Sequence, residues 1–166
     1  MVSRRLLNIA GFAVCVGLLA YALYTQLYQG LEPCPLCIFQ RIGIALLGVA
    51  FLAAAFHDPR GNGRYGYALV IALAALVTAA VAARHLYVQS LPPGALPSCG
   101  APLAVLFKFM PLTQLIRKVL TGSGECGVVN WRFLGLTMPA WVLIFSAVLG
   151  TAGVLANLRR EASAAR

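Results

Sequence analysis

The chain is predicted to be an all-α membrane protein: a four-helix transmembrane bundle with a long extracytoplasmic loop carrying a short interfacial helix. Three observations predict it. Hydrophobic residues fill 61% and charged residues 10% of the 166 positions, against roughly half and a quarter in soluble domains, which excludes a water-soluble globule and a disordered chain alike. Four long runs are nearly free of charge. The 13 Lys and Arg, set against 4 Asp and Glu, give a net charge of +9. They sit in the gaps between the runs and not on one soluble face, a pattern that orients a membrane protein and excludes a nucleic-acid surface. One membrane domain over 1–166 is expected for this length. No internal repeat, soluble domain or low-complexity tract interrupts it.

A helix needs about 20 apolar residues to cross the hydrocarbon core. The first run, 6–28, has 23 residues without a charge. Arg4 and Arg5, the apolar stretch and then Ala20-Tyr21-Ala22 resemble a cleavable signal, but the run continues through Leu23, Tyr24, Leu27 and Tyr28 and is long enough to span. The second run, 38–56, has Gln40 and Arg41 near its start. The third is 67–83 and the fourth 134–158. Backbone groups must be paired in lipid, and barrel strands would appear as short alternating segments, so all four runs are read as helices.

Orientation follows from the basic residues. With four crossings, Arg4, Arg5, Arg60, Arg64, Arg159, Arg160 and Arg166 share one side, in two tails and a ten-residue turn. Arg41, Arg84, Lys108, Arg117, Lys118 and Arg132 share the other, mostly in or beside one loop of about 50 residues. Density in short segments decides orientation, so both termini are expected in the cytoplasm.

Five cysteines carry the chemistry. Cys34-Pro35-Leu36-Cys37 closes the first loop, 29–37, while Cys99 and Cys126 lie in the long loop, 84–133. The first and third loops of a four-span protein emerge on the same side, so these four thiols share one compartment whichever way the chain faces. Disulfides persist in oxidising compartments, in agreement with the less basic side being extracytoplasmic. Cys15 lies mid-span and reads as a small buried apolar residue. A disulfide across two residues constrains the unfolded chain little, so the CxxC pair is read as redox-active and not as a staple. Four-cysteine zinc sites pair one CxxC with a second close pair, whereas 26 residues separate Cys99 from Cys126, so no metal is expected.

If the second helix begins near Leu36 or Cys37, the Cys37 sulfur sits in its first turn, where free N–H groups and the positive dipole end stabilise a thiolate. Arg41 is four residues on, on the same helix face, and adds a fixed cation. An arginine inside an apolar run is by default functional. A thiolate at that depth is placed to meet a lipid-soluble quinone, with Arg41 donating to its carbonyl oxygen. His85, at the outer end of the third span, offers a proton or hydrogen bond at a similar depth. Residues 103–120 mix apolar side chains with Lys108, Arg117 and Lys118 and read as an interfacial segment. The proline-rich stretch 90–101 exposes Cys99 for docking into the groove of another protein.

Taken together, Cys34-Pro35-Leu36-Cys37 with Ile38-Phe39-Gln40-Arg41, the Cys99 and Cys126 pair, and the segment from Trp131 to Trp141 resemble the DsbB family. The resemblance covers nearly the whole chain in order. It implies a bacterial inner-membrane thiol:quinone oxidoreductase that reoxidises a periplasmic DsbA-type dithiol oxidase, with ubiquinone or menaquinone as cofactor. It further implies a relay. DsbA attacks Cys99 of a Cys99–Cys126 disulfide, Cys126 then attacks Cys34, and the thiolate left at Cys37 passes electrons to quinone near Arg41. Two alternatives are weighed. A vitamin-K-epoxide-reductase-like quinone reductase would carry its CxxC in a later span, and a scaffold or channel with structural disulfides would leave all four loop thiols inert.

Overall fold

The computed structural model describes residues 3–31, 33–59, 61–92, 124–127, 129 and 131–159. Cys99, the interfacial segment expected over 103–120, and Arg60, Lys108, Arg117, Lys118, Arg160 and Arg166 lie outside the described residues. Four helices, α1 (Arg4–Gln29), α2 (Pro35–His57), α3 (Gly63–Ser90) and α5 (Met138–Leu158), are long and apolar enough to cross a membrane. A one-turn helix, α4 (Gly124–Gly127), precedes a two-stranded hairpin, β1 (Arg132–Phe133) and β2 (Leu136–Thr137).

Each helix runs past or stops short of its charge-free run for a local reason. α1 starts at Arg4, capped by the Ser3 hydroxyl, which accepts from the Leu6 N–H. Arg4 is only 6% exposed and is held by Asp58, whose Oδ1 lies 2.8 Å from Nη2 and 3.2 Å from Nε. At the other end Gly30, with φ of 65°, supplies the left-handed C-cap. α3 continues past residue 83 through Arg84 and His85 to Ser90. The first four residues of the run 134–158 are not helical. They complete an antiparallel hairpin in which Arg132 faces Thr137 and Phe133 faces Leu136, turning through Leu134 and Gly135, both at positive φ, as a two-residue hairpin turn requires. Pro139 in the first turn of α5 then fixes where the helix starts, because a missing N–H costs nothing there.

The helices neighbour one another in ring order, α1 on α2, α2 on α3 and α3 on α5, with α5 closing lightly back onto α1. Their outward faces carry exposed Leu27, Leu46, Leu76 and Val148, a surface suited to lipid and not to water. Phe51, 2% exposed, plugs the centre with Ile44, Leu47, Ile71 and Leu149. Small residues let the backbones close on it: a Cβ on Gly11 or Gly153 would lie 2.9 Å or 2.6 Å from the Phe51 ring, the device by which membrane helices approach without a hydrophobic drive. The light α1–α5 seam is pinned near the chain-terminal end by Asn8 and Asn157, both fully buried. Each amide donates to the other's oxygen, at 3.3 Å and 3.0 Å.

Candidate functional site

Cys34 is the N-cap of α2. Its extended backbone and the fixed φ of Pro35 at the first helical position turn the chain so that Cys34 Sγ accepts the Cys37 N–H at 3.3 Å. Capping by the side chain at this position satisfies one of the donors that every helix start leaves free. It also sets the two sulfurs 2.8 Å apart as free thiols. Cys37 lies in the first turn with Arg41 one turn further along.

α3 and α4 bring a second set of groups to the Cys34 side of this pair. His85, 2% exposed, points its Nε2 at the Cys126 carbonyl oxygen, 3.2 Å away, with Cys34 Sγ 3.7 Å from the same nitrogen. Gln40 Nε2 donates to His85 Nδ1 at 3.0 Å, which places the ring hydrogen on Nε2, where it donates to that carbonyl. Cys126 is 1% exposed, with its carbonyl on the His85 ring beside Cys34. The Cys34 thiol, which precedes the helix, is held well above the ordinary thiol range, first by the hydrogen bond with Cys126, then by that with Cys37, then by burial.

On the other side of Cys37 lies an apolar cavity of about 370 Å³, framed by α1, α2, α5 and the hairpin. Leu18, Leu19, Ile44 and Val142 line its depth, and Trp131, Phe133, Trp141 and Phe145 its flank, while its polar groups come from Cys37, Gln40 and Arg41. The aromatic rings form a continuous string, Tyr21 to Trp131, Phe133, Trp141 and Phe145, with centroids 6.0 to 6.1 Å apart. Trp141 Nε1 donates to the Phe133 carbonyl at 3.2 Å, and Thr137 donates to Gln89 Oε1 at 3.0 Å, fixing the hairpin across the helix ends. Tyr21 and Phe133 are half-exposed at the rim, so the cavity meets the outer face of the bundle. Arg41 is oriented from behind. It donates to Gln26 Oε1, and its Nη2 donates to the Ala22 carbonyl at 2.9 Å.

Of the residues singled out in the sequence, Cys34, Cys37, Cys126 and His85 converge, and Arg41 stands with Cys37 on the cavity wall. Cys99 lies outside the described residues. His85 does not line the cavity: its ring is buried behind the Cys34–Cys37 pair, with Nδ1 taken by Gln40 and Nε2 by the Cys126 carbonyl, and so it faces thiols rather than the apolar space. Cys15 is buried at 1% in the core, 3.1 Å from where a Gly48 Cβ would be, away from the other sulfurs. Sequence reasoning assigned no role to Gln40 or Gln26. The available signal was a polar amide inside an apolar run, which demands a buried partner.

The sequence profile of the family described as "Disulfide bond formation protein DsbB" matches residues 4–156. Proteins named "Disulfide bond formation protein B" are similar along most of their length. That of Xanthomonas campestris pv. campestris is 48% identical over 152 residues, 91% of this chain and 88% of the relative. That of Xylella fastidiosa is 46% identical over 160 residues, 96% and 92% of the two chains. That of Xanthomonas axonopodis pv. citri is 51% identical over 144 residues, 86% and 84%.

Proposed function

The chain belongs to the DsbB family of disulfide bond formation proteins, and from that premise we propose that it is a thiol:quinone oxidoreductase of the bacterial inner membrane. Its termini are cytoplasmic and its thiol-bearing loops periplasmic. It reoxidises a DsbA-type dithiol oxidase and passes the electrons to ubiquinone or menaquinone. One observation carries this reading: Cys37 belongs at once to the thiol cluster, 2.8 Å from Cys34, and to the wall of the apolar cavity beside Arg41.

The relay starts when a thiolate of the reduced partner attacks Cys99 of a Cys99–Cys126 disulfide, forming a mixed disulfide with Cys99 and freeing the Cys126 thiolate. Cys126 then attacks Cys34 of a Cys34–Cys37 disulfide, so that a Cys126–Cys34 bond forms and Cys37 leaves as thiolate. The Cys126 carbonyl and Cys34 Sγ, both against His85 Nε2, put Cys126 on the Cys34 side of the pair and support this direction of attack. His85 Nε2–H, which donates to the Cys126 carbonyl and lies 3.7 Å from Cys34 Sγ, holds the Cys126 segment against Cys34, and Gln40 keeps that tautomer. The leaving thiolate sits in the first turn of α2, among free N–H groups and one turn from the Arg41 cation, both of which favour the anion.

The cavity fits a quinone. It is apolar along its depth and flank, its aromatic wall matches a ring, and among the described residues its one permanent cation, Arg41, stands at the sulfur end. Arg41 would hold the ring carbonyl through the guanidinium hydrogens that Gln26 and Ala22 leave free. Bound there, a quinone would supply the sink for two electrons and two protons. The aromatic wall keeps water from the Cys37 thiolate meanwhile.

The test is quinol formation by the purified protein mixed with a reduced DsbA-type protein and quinone. Turnover is expected in the wild type and lost in Cys37→Ser; full turnover by that variant would end the proposal.

A further inference from the structure

The thiol cluster also has the donors of a soft-metal site. Cys34 Sγ, Cys37 Sγ and His85 Nε2 all lie within 4.8 Å of one another. Around a tetrahedral ion with metal–sulfur bonds of about 2.3 Å and metal–nitrogen bonds of about 2.0 Å, ligand atoms stand about 3.5 to 3.8 Å apart. The 3.7 Å between Cys34 Sγ and Nε2 already meets that spacing. The two sulfurs, 2.8 Å apart, open to it by rotation of two short side chains. The fourth tetrahedral position is left to solvent or an added ligand.

The surroundings can rearrange to serve such an ion, with Nε2 giving up its hydrogen and its contact with the Cys126 carbonyl. A histidine that binds through Nε2 must carry its hydrogen on Nδ1 and give it to an acceptor, the outer partner that metal-bound histidines almost always have. Gln40 stands 3.0 Å from Nδ1, and turning its amide over presents the oxygen in place of the nitrogen. The Cys99 to Cys126 spacing argued against zinc because it counted cysteines along one chain direction, whereas the third donor here comes from α3.

We infer that the fully reduced protein binds one thiophilic d¹⁰ cation, Zn²⁺ or Cd²⁺, through Cys34, Cys37 and His85, and that the bound ion closes these thiols to exchange. The cation displaces two thiol protons, which pass to solvent, and no electron moves. A Cys34–Cys37 disulfide offers no thiolate and takes no ion, so occupancy reads the redox state of the pair. The inference goes beyond the proposed electron transfer and needs neither quinone nor a partner protein.

The test uses the full-length protein in detergent, reduced and freed of reductant, titrated with Cd²⁺. The ultraviolet thiolate-to-metal charge-transfer band and the metal retained against a competing chelator are followed. One Cd²⁺ per chain is expected for the reduced protein and none for protein oxidised at Cys34–Cys37. Gln40→Leu is expected to weaken binding about 10- to 100-fold, the usual effect of losing an outer partner, and His85→Ala to weaken it more. Cys15→Ala keeps full binding. Equal binding by oxidised and reduced protein overturns the inference, and so does an affinity unchanged in Gln40→Leu and His85→Ala. Should His85→Ala fail to fold, the redox comparison and Gln40→Leu decide. Loss of quinone turnover alone leaves the binding result intact, so the two readings fail separately.

Discussion

Replacing Arg41 by Met removes the one permanent cation that the described residues give the cavity while keeping an unbranched apolar stem. Of the five N–H donors on a guanidinium, two are held by Gln26 Oε1 and the Ala22 carbonyl, which leaves about three for a bound ligand. A hydrogen bond from a charged donor contributes about 1.5 to 3 kcal/mol, and about 1.4 kcal/mol is a factor of ten. The KM for quinone should therefore rise about tenfold to a hundredfold. The fold should lose little, because Gln26 is only half-buried and finds water, while Ala22 keeps its helical bond. The KM for the reduced protein partner should stay within about twofold, since Arg41 faces away from Cys34 and Cys126. Steady-state quinol formation, with each substrate varied at saturating levels of the other, separates the two constants. An unchanged quinone KM, or an equal rise in both, would refute the assignment of Arg41 to the quinone end of the cavity.

Other perturbations probe the cluster and the core. Cys34, Cys37, Cys99 and Cys126 should each be needed for turnover, while Cys15→Ala should leave it within about twofold, because that sulfur packs in the core and contributes only as a small apolar group. Because hydrogen bonding and burial hold the Cys34 thiol above the ordinary range, its thiolate fraction at neutral pH is small. Iodoacetamide should thus modify Cys34 of the reduced protein more slowly than an ordinary thiol, and faster as pH is raised. Cys126→Ala should accelerate it; prompt labelling of Cys34 at pH 7, read by mass spectrometry, would contradict the geometry. Gly153→Ala sets a Cβ 2.6 Å from Phe51 Cε1 and 2.8 Å from Ile71 Cγ2 and should cost about 1 to 3 kcal/mol by overpacking. Gly17→Ala, with nothing within 4 Å, should be neutral or slightly stabilising; equal melting temperatures for the two in detergent would count against the packing described.

The four helices were legible because lipid imposes a length and an apolar content that survive in the bare chain. Their ends were not, because a charge interrupts a hydropathy run without interrupting a helix. Arg4 is buried against Asp58, and Arg84 and His85 sit inside α3. The run beginning at Leu134 instead opens with a hairpin, which Gly135 and Pro139 signal only once the turn is known. Within the site, the relation of Cys37 to Arg41 was readable because both lie on one helix at a fixed spacing. The pairing of Gln40 with His85, and the facing of His85 toward Cys34 and Cys126, join different helices, and single-chain spacing carries no such information. The aromatic flank was present as the Trp131 to Trp141 motif, but its meaning depended on the hairpin that folds it over the gap between α1 and α5.

That gap gives the bundle a mechanical character. α1 and α5 are clasped by Asn8 and Asn157 and touch only lightly elsewhere, while Tyr21, at the rim, lies about 20 Å along α1 from the clasp at 1.5 Å per residue. The pair has the geometry of tongs with a hydrogen-bonded pivot. A small rotation at the pivot becomes a wider excursion at the jaws, and the tightly packed α3–α5 and α1–α2 faces need not part. A substitution at Asn157, far from any sulfur, is therefore expected to change how wide the jaws rest.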